Sequence, residues 1–245
     1  TAPARTPEQN FGLEAVKQDL KWLSGELGPA RDFDVFVEKS LTPMKKDAPA
    51  GLAALRTDLQ ARRAKGFVRA RRMVQGARYR RILLHTGLWL TGGDWVTGKD
   101  EMRRELRQRK LCDTARDILG QRTAKLAKKL KKLDALDVKG RHKLRIAAKK
   151  LRYAAGFFES LFPRNQRHKR FAAKLKDLQG ALGRLNDIQV HRDFGRGLVK
   201  GTAPLPHGAY ALGVVTGLER NAVAPCMAVA AKAGKQFRKL PSFWS

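Results

Sequence analysis

The sequence predicts an all-α protein made of two copies of one helical-bundle unit. Three observations support this fold class. Almost every long segment has helical periodicity, no run alternates Val, Ile and Thr as strands do, and one helical unit is repeated within the chain. The chain has 245 residues, of which 42% are hydrophobic, so it can bury a substantial core in one or two domains.

The periodicity predicts eight helices in order along the chain. Their ranges are 8–27, 30–42, 50–91, 100–136, 138–162, 165–183, 185–200 and 207–233. Glycines and prolines that end helices fall between most of them, namely Gly28 and Pro29, Pro43 and Pro49, Gly92 and Gly93, Pro163, and Pro204 and Pro206. The segment 50–91 is too long for an ordinary globular helix, so Gly66 and Gly76 are candidate kinks.

The internal repeat pairs residues 21–35, KWLSGELGPARDFDV, with residues 176–190, KDLQGALGRLNDIQV. Seven of fifteen positions are identical at an offset of 155 residues. The identical positions include two pairs of glycines, Gly25 with Gly180 and Gly28 with Gly183, and one pair of aspartates, Asp32 with Asp187. In each copy we expect a helix to end at the second glycine, Gly28 or Gly183, in a left-handed conformation and another helix to begin near the aspartate.

The repeat divides the chain into a first bundle, 1–137, and a second bundle, 138–245. In the second copy a basic helix precedes the repeated segment, and its His142 lies 34 residues before Lys176. The matching helix of the first copy would lie before Thr1. We therefore expect the first bundle to lack its first helix in this chain, and a His-x-x-Arg helix to precede it.

The charge balance indicates a polyanionic partner. The chain carries 52 Lys and Arg residues against 22 Asp and Glu residues, for a formal net charge of +30. Such an imbalance opposes compactness through self-repulsion, and a bound polyanion relieves it. Phosphate chains, nucleic acids and anionic membranes all fit this charge. The alternative is a basic protein whose charge serves only solubility.

Residues 142–153, HKLRIAAKKLRY, provide the clearest candidate binding surface. The basic residues His142, Arg145, Lys149 and Arg152 are spaced 3, 4 and 3, so they share one helix face. An apolar stripe on the roughly opposite side is predicted to be core, and consists of Leu144, Ala147, Leu151, Ala154, Phe158 and Leu161. No acidic residue lies between positions 139 and 152, so ordinary ion pairs along the helix cannot form.

This absence of acids favours a phosphate-binding wall over a solvated charged face, which remains the alternative. His142 fits either a structural role or a ligand contact, and Tyr153 either donates to a phosphate oxygen or covers the core. Further candidate cations are Lys150, Lys21, Arg31, Arg78, Arg81, Lys169, Lys174, Lys176 and Arg184. The lysine run at 125–132 is interpreted as a solvated face.

Signatures of catalysis, metal binding and membrane insertion are missing from the sequence. There is no GxxxxGK[ST] loop, no GxSxG elbow and no ExExK run. Cys112 and Cys226 form no metal or redox motif and are expected to be buried thiols in a reducing compartment. No stretch reaches the ~18 apolar residues of a membrane span. We expect a cytoplasmic binding protein without enzymatic activity, metal or cofactor.

The motifs resemble those of a known family. HKLRIAAKKLRYAAGFFESLF followed by LKDLQGALGRLNDIQV closely resembles the second half of CHAD domains, the conserved-histidine α-helical domains. KWLSGELGPARDFDVF is similar to the matching element of the first half, and KLPSFW to the family's end. The resemblance implies two four-helix bundles and a basic channel that binds inorganic polyphosphate without catalysis. It also implies two histidine helices, of which this chain contains the second.

The function expected from these arguments is polyphosphate binding, which would serve targeting to polyphosphate granules or polyphosphate sensing. The alternatives are a basic helical protein that binds nucleic acid, a phosphatase or polyphosphate hydrolase, and an interaction scaffold with no ligand. Nucleic acid is expected only as a nonspecific competitor, since aromatic residues for base stacking make up 7% and mostly occupy core-like positions.

Overall fold

The computed structural model describes residues 12–42, 49–98, 101–163, 165–200 and 208–244, where all regular structure is helical. The helices are α1 (Leu13–Phe36), α2 (Leu52–Gln75), α3 (Ala77–Gly92), α4 (Asp94–Thr97), α5 (Glu101–Gln108), α6 (Leu111–Leu130), α7 (Val138–Phe157), α8 (Gln166–Lys200), α9 (Ala209–Asn221) and α10 (Val223–Arg238). A π-helical turn, Val37–Leu41, follows α1, and the 3-10 turns Leu133–Ala135 and Glu159–Leu161 follow α6 and α7. The all-α prediction is confirmed.

The chain forms two compact units. Unit 1 comprises Thr1–Gln108 and Leu205–Leu212, and unit 2 comprises Arg109–Pro204 and Gly213–Ser245. The boundaries of the compact units therefore differ from those of the predicted bundles, because α6, which falls in the predicted first bundle, packs within unit 2. Its side chains Ala115, Leu119 and Leu126 are fully buried there. The division of the repeat at 137/138 stays a prediction.

In unit 1, α1, α2 and α3 pack against one another. The α2 residues Leu52, Leu55 and Leu59 are spaced 3 and 4 and are buried along one face of the helix. Phe36 from the end of α1 and Ile82 from α3 are buried with relative exposures of 0% and 2%. Helical periodicity in the sequence therefore determines which faces of unit 1 meet.

The segment 50–91 bends at one of the two predicted glycines. Gly76 separates α2 from α3 in an extended conformation, with ψ of 159°. Gly66 lies inside α2 without a break, so its prediction as a kink is wrong. A Cβ at Gly66 would lie 3.2 Å from Cα of Ala30, which shows that this glycine permits close packing of α2 on α1.

In unit 2, four helices enclose one core. α6 packs on α7 and α10, and α8 packs on the same two helices, which closes a four-helix bundle. The predicted apolar stripe of α7 is confirmed as core. Leu144, Leu151 and Phe158 are buried, and the other stripe residues, Ala147, Ala154 and Leu161, pack against them.

The end of the chain closes this core. Phe243 and Trp244 are buried and pack edge-on around Phe171 of α8. Arg116 of α6 donates through Nε to the backbone oxygen of Trp244 at 3.1 Å. The KLPSFW ending therefore has a structural role in unit 2.

Two predicted helix breaks are wrong. α1 continues through Gly28 and Pro29, and α8 continues through Gly183, so neither glycine is left-handed and the aligned aspartates lie inside helices. Among the described residues only Gly51 has a positive φ, of 81°. Packing of the helix outweighs the helix-ending signal of Gly28 and Pro29, since Ala30, the next residue, is buried with a relative exposure of 5%.

The predicted helix at 207–233 is in fact two helices, α9 and α10, which meet at Ala222. Pro225 lies in the first turn of α10, where a missing backbone N–H and the proline ring are tolerated. Cys226 is buried as expected, but Cys112 is only partly buried. Pro43, Pro204 and Pro206 lie outside the described residues.

Candidate functional site

The start of α7 is fixed by local hydrogen bonds. Asp137 caps the helix by accepting from the backbone N–H of Gly140 at 2.7 Å. A Cβ at Gly140 would lie 2.9 Å from Oδ1 of Asp137, so a glycine suits this position. Arg141 donates through Nη1 to the backbone oxygen of Leu136 at 3.0 Å. The cap and the buried apolar stripe together set the rotation of α7, and with it the direction of its cations.

Two hydrogen bonds place the predicted basic stripe of α7 beside α8. His142 donates through Nδ1 to Oδ1 of Asn186 at 2.7 Å, and Arg152 donates through Nη1 to Oε1 of Gln179 at 2.9 Å. Arg145 and Lys149 lie between them on the same side of the helix. We call this surface the α7–α8 face, and it consists of His142, Arg145, Lys149, Arg152, Gln179 and Asn186.

The α7–α8 face has little opposing charge. α7 contains seven lysines and arginines and no acidic residue. Across the described residues, none of these seven cations forms an ion pair. The α8 side chains that contact Arg152 and His142 are neutral amides, which orient these basic side chains without adding negative charge. The face is therefore suited to an anion.

Tyr153 lies beside the basic stripe of α7, whereas Lys150 lies on another side of the helix. Tyr153 is 61% exposed, so it does not cover the core, and the Lys149 ammonium lies 5.6 Å from its ring centroid. Lys150 is two positions from Arg152, about 200° around the helix, and faces α6 with Lys143. The predicted cations of α7 thus line two different surfaces.

The predicted cations of α8 also separate. Lys169 and Lys176 are seven residues apart and share a helix face, which Gln179 continues one turn further on. They extend the basic character of the α7–α8 face. Lys174 lies on another side and pairs with Asp177 at 3.6 Å. Arg184 is exposed further along the helix.

The four remaining predicted residues belong to unit 1. Lys21 and Arg31 lie on α1, and Arg78 and Arg81 lie on α3. The Arg78 guanidinium is stacked 3.9 Å from the ring centroid of Trp22, which fixes its position on α1. The other three side chains are exposed. Their participation in anion binding stays a prediction.

His142 lines two cavities of unit 2. The larger, of about 640 Å³, lies at the start of α7, and its lining also includes Asn186, Arg192, Leu182 and the two aspartates Asp137 and Asp193. The smaller, of about 310 Å³, lies between α6 and α7. We call the smaller one the α6–α7 groove, and its lining residues are Arg122, Lys125, Lys129, His142, Lys143, Ile146, Ala147 and Lys150.

The sequence analysis did not identify the uncharged residues of the α7–α8 face or the α6 residues of the α6–α7 groove. Gln179 and Asn186 carry no charge and gave no signal, because their role depends on the packing of α8 against α7. Arg122, Lys125 and Lys129 are spaced 3 and 4, which is a signal of a shared face. Two of them lie in the lysine run that was interpreted as solvated.

Other kinds of site find no support in the part of the chain that the structure describes. No group of three or more His, Cys, Asp or Glu side chains there is placed to hold a metal ion. No described helix is both long enough and apolar enough to cross a membrane.

The fold and the site define a class of protein: a basic, all-helical protein in which the helix that carries His142 contains no acidic residue. The family model for the CHAD domain matches residues 11–196. The chain therefore belongs to the CHAD domain family.

Solved structures support the same conclusion. The crystal structure of the CHAD domain from the plant Ricinus communis is similar, with a TM-score of 0.75 and 25% sequence identity. The similarity covers 90% of this chain and 72% of the plant chain. No curated protein matches the sequence.

Proposed function

We propose that this protein binds inorganic polyphosphate, without catalysis, along the α7–α8 face. The observation that carries the proposal is the row of basic residues on α7, a helix that contains no acidic residue, which two hydrogen bonds hold beside α8. The family resemblance supports polyphosphate as the particular anion.

The chemistry of polyphosphate fits this surface. Polyphosphate is a flexible chain with a negative charge on each phosphate unit, so it gains most from a line of fixed cations. Arg145 and Arg152 offer forked donors that suit phosphate oxygens, and Lys149 offers a compact charge. Tyr153, exposed at the same end of α7, adds a hydroxyl donor.

Hydrolysis of the bound chain is not expected. Cleavage of a phosphoanhydride needs an activated water and a means of stabilising the charge that develops, commonly metal ions held by carboxylates. The α7 residues of the α7–α8 face are three cations and one histidine, which retain a polyanion but supply no carboxylate. A binding role agrees with targeting to polyphosphate granules or with polyphosphate sensing.

The test exchanges three cations and compares them with three others in the same unit. We expect the combined substitution Arg145→Gln, Lys149→Gln and Arg152→Gln to weaken long-chain polyphosphate binding at least about tenfold, because hydrogen bonds to charged groups contribute roughly 1.5–3 kcal/mol before solvent screening. The matched control, Lys232→Gln and Lys235→Gln on α10 with Lys239→Gln directly after it, removes the same charge from exposed positions. Calorimetric titration measures both.

The control should weaken binding less than about threefold, because it changes only the long-range field. Equal losses in the two triple variants would show that net charge alone holds the polyanion, and would remove the α7–α8 face from the account. Release of phosphate from polyphosphate in the presence of Mg²⁺ would contradict the non-catalytic part of the proposal.

A further inference from the structure

The α6–α7 groove is a second concentration of positive charge with its own walls. Arg122, Lys125 and Lys129 form one row on α6, spaced 3 and 4, and Lys143 and Lys150 lie opposite on α7. Ile146 and Ala147 form its floor between the α7 lysines. The five cations line a cavity of about 310 Å³ whose lining residues include no carboxylate.

The acidic residues of α6 do not neutralise the groove. α6 contains two carboxylates, Asp113 and Asp117, both in its first two turns. Each is already in an ion pair, Asp113 with Arg116 at 2.9 Å and Asp117 with Arg109 at 2.6 Å. Within the described residues none of the five groove cations has an ion-pair partner, so their mutual repulsion is uncompensated.

A structural role for these cations explains only part of the arrangement. Lysines in the last turn of a helix interact favourably with its carbonyl end, which accounts for Lys128 and Lys129. Arg122 and Lys125 lie in the middle of α6, and Lys143 and Lys150 lie away from the end of α7. Their convergence on one cavity therefore calls for a different account.

The groove is separate from the α7–α8 face. Lys143 and Lys150 are seven residues apart and lie on the side of α7 that faces α6, whereas Arg152 contacts Gln179 of α8. His142 alone belongs to both surfaces. A ligand in the groove would therefore depend on α6 cations that the α7–α8 face does not use.

We propose that the α6–α7 groove is a second anion-binding site that takes a short run of condensed phosphate. Two facing rows of cations clamp a compact anion of high charge better than a single row does, and the groove has no aromatic lining on which a nucleic-acid base could stack. The ligand class rests on the proposed function. The bound phosphates belong either to a free oligophosphate or to a segment of a long chain.

The experiment titrates tripolyphosphate, as the probe, into the whole chain at a fixed salt concentration of about 0.15 M. The groove variant is Lys125→Gln with Lys129→Gln. The matched control is Lys128→Gln with Lys131→Gln, which removes the same charge from exposed positions of the same lysine run outside the groove lining. We expect the groove variant to bind tripolyphosphate at least about tenfold more weakly and the control less than about threefold.

Long-chain polyphosphate distinguishes the two sources of phosphate. A loss in the groove variant with tripolyphosphate alone indicates a free oligophosphate, and a loss with both probes indicates a segment of a long chain. Either outcome supports the groove. Equal losses in groove variant and control, or no binding of tripolyphosphate by the unchanged protein, would overturn it.

The α7–α8 triple variant separates this proposal from the previous one. If the groove is independent, that variant retains tripolyphosphate binding within about threefold. If the proposal for the α7–α8 face is wrong, its triple variant keeps an unchanged affinity for long-chain polyphosphate. If the proposal for the groove is wrong, the groove variant and its control bind tripolyphosphate equally well. Thermal unfolding of each variant checks folding, and removal of like charges is expected to leave the midpoint unchanged or raised.

Discussion

Leu151 and Tyr153 stand two positions apart on α7 and have opposite surroundings. Leu151 is completely buried in the core of unit 2, and Tyr153 is 61% exposed beside Lys149. The burial of Leu151 could be predicted from the sequence, because helical periodicity is a local property of α7, whereas the sequence left open whether Tyr153 covers the core. The partners of the basic stripe were not available, since Gln179 and Asn186 reach it only when α8 packs against α7.

The contrast between these two residues gives a prediction about stability. Leu151→Ala should lower the free energy of unfolding by about 2–5 kcal/mol, because it removes buried methyl groups and leaves a cavity. Tyr153→Ala should change it by less than about 1 kcal/mol, since only an exposed ring and its contact with Lys149 are lost. Urea denaturation followed by circular dichroism measures both. A larger loss for Tyr153→Ala would mean that the rotation of α7 is wrongly assigned.

At the scale of helices, local breaking signals and packing compete. Gly28 and Pro29 predict the end of a helix, yet α1 continues, because Ala30 and Phe36 after them are buried in unit 1. Gly76 does end α2, where no such burial opposes it, since its neighbours Gln75 and Ala77 are exposed. Sequence patterns therefore identified the helical segments and their buried faces, but tertiary contacts decided which glycines became breaks.

Close packing at Gly66 leads to a second stability prediction. Gly66→Val should lower the free energy of unfolding by about 1–3 kcal/mol, because its side chain would meet the backbone of Ala30 and push α1 away from α2. The control is Gly25→Val in α1, where an added Cβ has no neighbour within 4 Å. We expect it to change stability by less than about 0.5 kcal/mol. Comparable losses at the two glycines would refute the close-packing role of Gly66.

At the scale of the whole molecule, a formal net charge of +30 identifies a class of partner but not a particular one. The charge attracts duplex DNA and polyphosphate alike, and both lose affinity steeply as salt rises. The distribution of the charge is what differs between them, since the cations of unit 2 lie in rows on α6 and α7 without aromatic residues lining the groove between the helices. Such rows favour a thin chain of phosphates over a rigid duplex.

Competition between the two polyanions tests this central claim most directly. Labelled long-chain polyphosphate bound to the protein is titrated with duplex DNA and, separately, with unlabelled polyphosphate, at about 0.15 M salt and matched phosphate concentrations. We predict that DNA needs at least about tenfold more phosphate than polyphosphate does for half displacement. Equal displacement by DNA at the same phosphate concentration would contradict a polyphosphate-specific function.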